Sequence, residues 1–175
     1  MNSPAKRLTT LALLLSLIFI LVLIERMLPP FPLLPPQFGR LGLSNVIVMY
    51  SLFFMGKNEA VMLLFLKSLF ALLMRGPFAA LLSFAGGMLS IVLIILLLFL
   101  FKNKISYITL SVVGAVGHNM GQLIVASLIL QNITLFIIYL PILLIAGAVL
   151  GTVTGILLKI LIPMFNKVYT GGGYG

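Results

Sequence analysis

The segment GAVGHNMGQL, residues 114–123, carries a His, an Asn and a Gln within an otherwise apolar stretch, between SYITLSVV and IVASLIL. On a helix His118 and Gln122 are i,i+4 neighbours and Asn119 is three residues from Gln122, so the three share one side. In hydrocarbon each needs a hydrogen-bond partner. A neighbouring helix satisfies that need in many membrane proteins; a bound polar ligand satisfies it equally. Three such residues interleaved with Gly114, Gly117 and Gly121 favour the wall of a ligand pocket, since glycine lets a second backbone or a flat ligand come close.

Lys67 is the second candidate. It lies seven or eight residues from either end of its apolar run, about 11–12 Å of rise, which a Lys stem covers only in part by snorkelling. An ionisable residue at that depth points to a function inside a bundle. A silent structural pair would need an acid. The two available are Glu25 and Glu59, which fall near opposite ends of their runs. The third candidate is a set of cations at one side, Arg26, Arg40 and Arg75. Arg75 is eight positions from Lys67, about 80° around the helix, and Asn45 is little more than a turn beyond Arg40. Together they suggest a pocket for an anionic or carbonyl-rich ligand. Arg26 reads better as a span-end contact with lipid headgroups; Arg40 and Arg75 fit either use.

These residues must be positioned by membrane helices. Of 175 residues, 62% are hydrophobic and 7% charged, against about a quarter charged in a soluble domain. Such a chain cannot cover a water-facing surface. There is no Cys and no Asp, so disulfides and thiolate metal sites are excluded, and no metal ligand set or cofactor is expected. The net charge is +9, but the basic residues are scattered singly, a pattern of membrane orientation and not of nucleic-acid binding. The run after Lys6 and Arg7 resembles a signal peptide, yet ERMLPP follows it instead of a small-residue cleavage site, so it reads as a retained first span.

Spans of about 17–25 apolar residues fall at roughly 8–27, 41–56, 59–74, 78–101, 107–130 and 135–161, one membrane domain over 1–170 with a flexible tail at 171–175. PPFPLLPPQFGR, GKNE, RGP, KNK and QN separate them. A re-entrant hairpin over the short second and third spans would bury Lys57 and Glu59 at membrane depth, at about 2.5–3.5 kcal/mol per charge, so two crossings are the cheaper reading. With six spans, one side receives Lys6, Arg7, Lys57, Lys102, Lys104, Lys159 and Lys167, the other Arg26, Arg40 and Arg75. That asymmetry puts both termini in the cytoplasm. Gly147, Gly151 and Gly155 form a doubled GxxxG, a tight packing face, and Ala12 with Ser16 gives a small-xxx-small pair on the first span.

The stretches GRLGLSNVIVMYSLFFMGKNEA, RGPFAALLSFAGG and SVVGAVGHNMGQL resemble the bacterial Gx transporter family, also known as heptaprenyl diphosphate synthase component I, over about residues 8–160. That family is similar to the substrate-binding S-components of energy-coupling factor (ECF) vitamin transporters. The resemblance implies a bacterial cytoplasmic-membrane protein with six helices, cytoplasmic termini and a pocket in the outward half. It also implies a small-residue face on the first helix that docks a transmembrane coupling subunit with its ATPases. Ala12 and Ser16 match that face, with Ser where the family pattern has a second Ala.

The two family names imply rival functions. Prenyl chain elongation holds magnesium on diphosphates with Asp-rich motifs, because hard cations take carboxylate oxygens. A chain with no Asp and two distant Glu does not build that site, nor does it contain a phosphate-cradling loop ending in Lys-Ser/Thr. The expectation is therefore a non-enzymatic, all-α integral membrane protein that binds a small molecule, captured from outside under the Pro-rich loop as a lid. Its expected ligand is an amphiphilic vitamin, quinone or isoprenoid precursor. The alternative is a non-catalytic scaffold of a heptaprenyl diphosphate or menaquinone biosynthetic complex.

Overall fold

A computed structural model describes residues 4–27, 42–101 and 104–169, with side chains to residue 163. Six helices follow in order: α1 (Pro4–Met27), α2 (Leu43–Phe54), α3 (Lys57–Arg75), α4 (Pro77–Leu100), α5 (Tyr107–Ile129) and α6 (Ile133–Tyr169). Among the described residues there is no strand. Four helices are long and apolar enough to cross a membrane: α1, α4, α5 and the Ile133–Pro163 part of α6. The helix ends follow local chemistry. Pro77 opens α4 after Gly76 at φ 84, Ser106 caps α5 by accepting from Ile108 N, and Asn132 caps α6 by accepting from Leu135 N. α6 runs on past the expected boundary at 161, and the expected tail at 171–175 lies outside the described residues.

The second span differs most from expectation. α2 has 12 residues, about 18 Å of rise against a hydrocarbon core of about 30 Å. Gly42 at φ 69 sets its start, and Gly56 at φ 131 turns the chain at once into α3. Eight of its residues are buried, from Ser44 to Leu52, and it packs on α1, α3, α4 and α6. A helix wrapped in protein need not match the bilayer by itself, which is why its length does not follow the rule for lipid-facing spans.

Two packing modes build the bundle. α5 sits between α4 and α6 at backbone distance. A Cβ on Gly147, Gly151 or Gly155 would come within 3.1, 2.6 and 2.8 Å of the Cα atoms of Val116, Val112 and Ile108, so the doubled GxxxG is a packing face as its spacing implies. On the other side of α5, a Cβ on Gly121 would meet Gly86 Cα at 2.9 Å, and one on Gly117 would meet Ser90 Cα at 3.5 Å. Around α1 and α2 the contacts are instead large side chains, with Leu14, Ile18, Ile47, Tyr50, Leu63 and Leu64 fully buried. α1 presents Thr10, Leu14, Ile18, Val22 and Glu25 inward. Ala12 and Ser16 face outward, and the Ser16 hydroxyl donates to the Ala12 carbonyl at 2.9 Å. At its first turn α1 is tied to α3 by an ion pair between Arg7 and Glu59.

Candidate ligand-binding site

All six helices contribute to one cavity of about 60 Å³. A water needs roughly 10–15 Å³, so the space takes about four to six waters, or one slender molecule of that volume. Its charged residues are Glu25 from α1 and Lys67 and Arg75 from α3; its neutral hydrogen-bonding residues include Asn45 from α2 and His118, Asn119 and Gln122 from α5. Six of the seven candidate pocket residues thus meet here. Arg40 lies outside the described residues, as does the Pro-rich loop. Arg26 points elsewhere, donating to Met74 Sδ at 3.7 Å.

Lys67 is buried, and its ammonium donates to the Asn45 side-chain oxygen. The stem reaches from the middle of α3 to the first turn of α2. Asn45 is held there by its own backbone N–H, which donates to Gly42 O at 2.9 Å. Beside it, Glu25 accepts from Ser44 N at 3.0 Å, so the carboxylate of α1 satisfies one of the free amides at the start of α2.

Here the sequence reading needs a correction. Glu25 falls near one end of its run and in the sequence is no obvious match for Lys67, yet both line the cavity, and Lys67 interacts electrostatically with Glu25 and with Arg75. Two cations against one carboxylate leave a net charge of +1 in the described lining. The signal for Glu25 was its place at the end of the inward stripe of α1, with Arg26 turned out.

The α5 residues divide between the two roles weighed for them. Asn119 donates to the Leu143 carbonyl of α6 at 3.0 Å, a helix–helix bond. Gln122 Nε2 and His118 Nε2 are 3.1 Å apart; with the amide as donor, the imidazole proton sits on Nδ1, which is buried against Gly86. Gly117 and Gly121 serve the α4 backbone, whereas Gly114 also borders the cavity. The sequence reading missed the hydroxyls: Ser44, Ser83, Ser90, Ser111 and Thr154 all line the same space. Isolated serines in apolar helices carry no spacing signal that singles them out.

Among the described residues no three His, Cys, Asp or Glu come together to hold a metal ion. Arg7, the partner of Glu59, is about 27 Å along α1 from Glu25, so the two carboxylates do not share a site.

The model of one protein family, heptaprenyl diphosphate synthase component I, matches residues 14–161. The chain belongs to that family. No curated protein and no solved structure matches it. The matched range runs from the inward face of α1 to the far end of the α6 span, and so takes in every described residue of the cavity.

Proposed function

We propose that this member of the heptaprenyl diphosphate synthase component I family is a membrane-embedded binding subunit for a small molecule with an anionic or carbonyl-rich head. The observation that carries this reading is the cavity itself. A space lined by polar groups with a net positive charge, inside a bundle of apolar helices, costs stability unless something occupies it. A scaffold needs no such space. Bonds from Lys67 and Arg75 to an anion are charge-assisted and strong, and His118 and Gln122 offer neutral contacts beside them.

In this reading all six helices lie across the bacterial cytoplasmic membrane with both termini inside, α2 being carried within the bundle. The cationic end of the cavity then faces outward. The open Ala12–Ser16 face of α1 is the docking surface for a coupling subunit with ATPases, as in ECF S-components, and ligands are captured from outside. Candidate ligands are an amphiphilic vitamin, a quinone or an isoprenoid precursor. The second reading, a non-catalytic subunit of a heptaprenyl diphosphate or menaquinone biosynthetic complex, is favoured by the family's name. In neither is the chain an enzyme, because its carboxylates do not gather to bind magnesium.

Native mass spectrometry of the detergent-purified protein tests the binding reading. A small molecule should co-purify with the wild type and be lost from Lys67→Met. Wild-type protein that carries nothing, together with retention of a prenyl-synthase partner, would favour the scaffold. Orientation is checked with single cysteines in this Cys-free chain: Lys104→Cys should label only from the cytoplasm and Asn132→Cys only from outside. Labelling of both from one side would overturn the six-span arrangement.

A further inference from the structure

The cavity does not stop at the cations. Along α5 its lining runs from Gln122 to Ser111, a rise of about 16 Å. At the Ser111 end the polar groups are hydroxyls: Ser90 of α4, Ser111 of α5 and Thr154 of α6, each buried. Elsewhere in the bundle, many hydroxyls in helices serve their own backbone. Those of Thr9, Thr10, Ser16, Ser68 and Thr152 donate to the carbonyl one turn back.

Ser111 does not. It is 1% exposed, and its Oγ has no partner among the described residues. Nor is it crowded out by bulk, because Gly155 faces it, where a Cβ would come within 3.2 Å of Oγ. Gly114 leaves Ser90 Oγ uncovered in the same way, a Cβ there falling at 3.1 Å. Thr154 donates to Gly151 O at 3.1 Å, which leaves its oxygen able to accept. Three other buried serines are without partners among the described residues: Ser51 and Ser127 lie outside the cavity, and Ser44 lines its cationic end beside Glu25.

A crevice meant for a hydrocarbon tail would be lined by Ala or Val, since an unpaired hydroxyl beside an alkyl chain is a loss. Here the end far from the cations is built to make hydrogen bonds. Taking the cavity as a ligand site, as above, we infer that its ligand is polar at both ends. An anionic group lies between Lys67 and Arg75. A hydroxyl, carbonyl or amide lies against Ser90, Ser111 and Thr154, about 10–16 Å away along the bundle. This narrows the substrate class to bifunctional polar molecules and sets prenyl chains aside.

A matched pair of probes tests it: octanoate and 8-hydroxyoctanoate, which differ by one hydroxyl at the end far from the carboxylate. Binding of each to the full chain in detergent is measured by calorimetric titration. The hydroxy acid should bind roughly threefold to tenfold tighter, the worth of one added hydrogen bond. Partition into the micelle depletes octanoate more than the hydroxy acid, so both affinities are referred to the free acid measured by dialysis against the same detergent. Ser111→Ala should erase the difference, with Thr154→Val as a second variant should Ser111→Ala melt below the wild type. Lys67→Met should weaken both acids.

If octanoate binds as well as the hydroxy acid, or both hydroxyl variants keep the preference, the inference falls and water alone fills that end. The binding reading survives that outcome so long as Lys67→Met weakens both acids. If neither acid binds the wild type, or neither depends on Lys67, both readings fall.

Discussion

The two halves of this bundle are held together by different means. α4, α5 and α6 meet backbone to backbone through glycines, whereas α1, α2 and α3 meet through Leu, Ile and Tyr side chains and the stacked rings of Phe19 and Phe70, 4.3 Å apart. Lipid is as apolar as Leu, so burying apolar surface between helices gives little net drive, and close packing must supply it. Backbone contact fixes both the distance and the rotation of a helix; interdigitated aliphatic side chains leave room for adjustment. The cavity lies between the halves, and its chemistry is divided in the same way. Every charged residue of the described lining, Glu25, Lys67 and Arg75, belongs to the side-chain-packed half. The glycine-packed half contributes only neutral groups, from His118 to Ser111. The rigid wall thus positions donors and acceptors, and the adaptable wall carries the charge.

Variants should separate the halves by the size of their effects. The largest effect is expected from Gly151→Leu, whose side chain has no room beside Val112. It should leave no folded, monodisperse protein in detergent, as read by size exclusion. Ile18→Ala, at the α1 core, opens a void on the adaptable side. The expected cost is about 1–3 kcal/mol, at the low end of aliphatic truncations because the apolar transfer term is small in lipid, and a thermal melt should show a folded protein with a lowered midpoint. Were it to unfold the chain as Gly151→Leu does, the contrast between the halves would be wrong.

Lys67→Met removes one of the cavity's two cations and leaves Arg75 to balance Glu25, so the protein should stay folded in detergent with at most a modest fall in midpoint for the lost bond to Asn45. Loss of a charge-assisted bond should weaken ligand binding about tenfold or more. A fallen midpoint with unchanged affinity would make Lys67 a structural residue. The smallest effect belongs to Ser16→Ala on the open face of α1, where the midpoint should move by no more than about 0.5 kcal/mol equivalent. A large shift would mean that this face is covered within the folded chain.

Much of this arrangement can be read from the residues, for identifiable reasons. Hydropathy finds the long helices because lipid imposes length and composition on any helix it touches. GxxxG spacing finds the α5–α6 contact because a four-residue step repeats on one helix face. The trio on α5 is conspicuous because polar groups are expensive where they stand. What escapes is set by tertiary context. α2 is short because protein, not lipid, surrounds it. Glu25 and Lys67 meet through the packing of α1 on α2 and α3, which no local pattern states. Ser90, Ser111 and Thr154 are small, common in membrane helices and separated by whole spans, so their convergence becomes visible only when the three helices are in place.

The chain has two acidic side chains in all, and both tie α1 to its neighbours. At one end the half-exposed Arg7 guanidinium holds the buried Glu59; at the other, Glu25 accepts from one amide at the start of α2, Ser44 N, from within the protein. Salt screens exposed pairs over a Debye length of about 8 Å at physiological ionic strength and scarcely reaches buried ones. The two attachments therefore differ in kind. Rising ionic strength weakens the half-exposed Arg7 contact more than the buried Glu25 contact, so the end of α1 beside the cavity is the more firmly held.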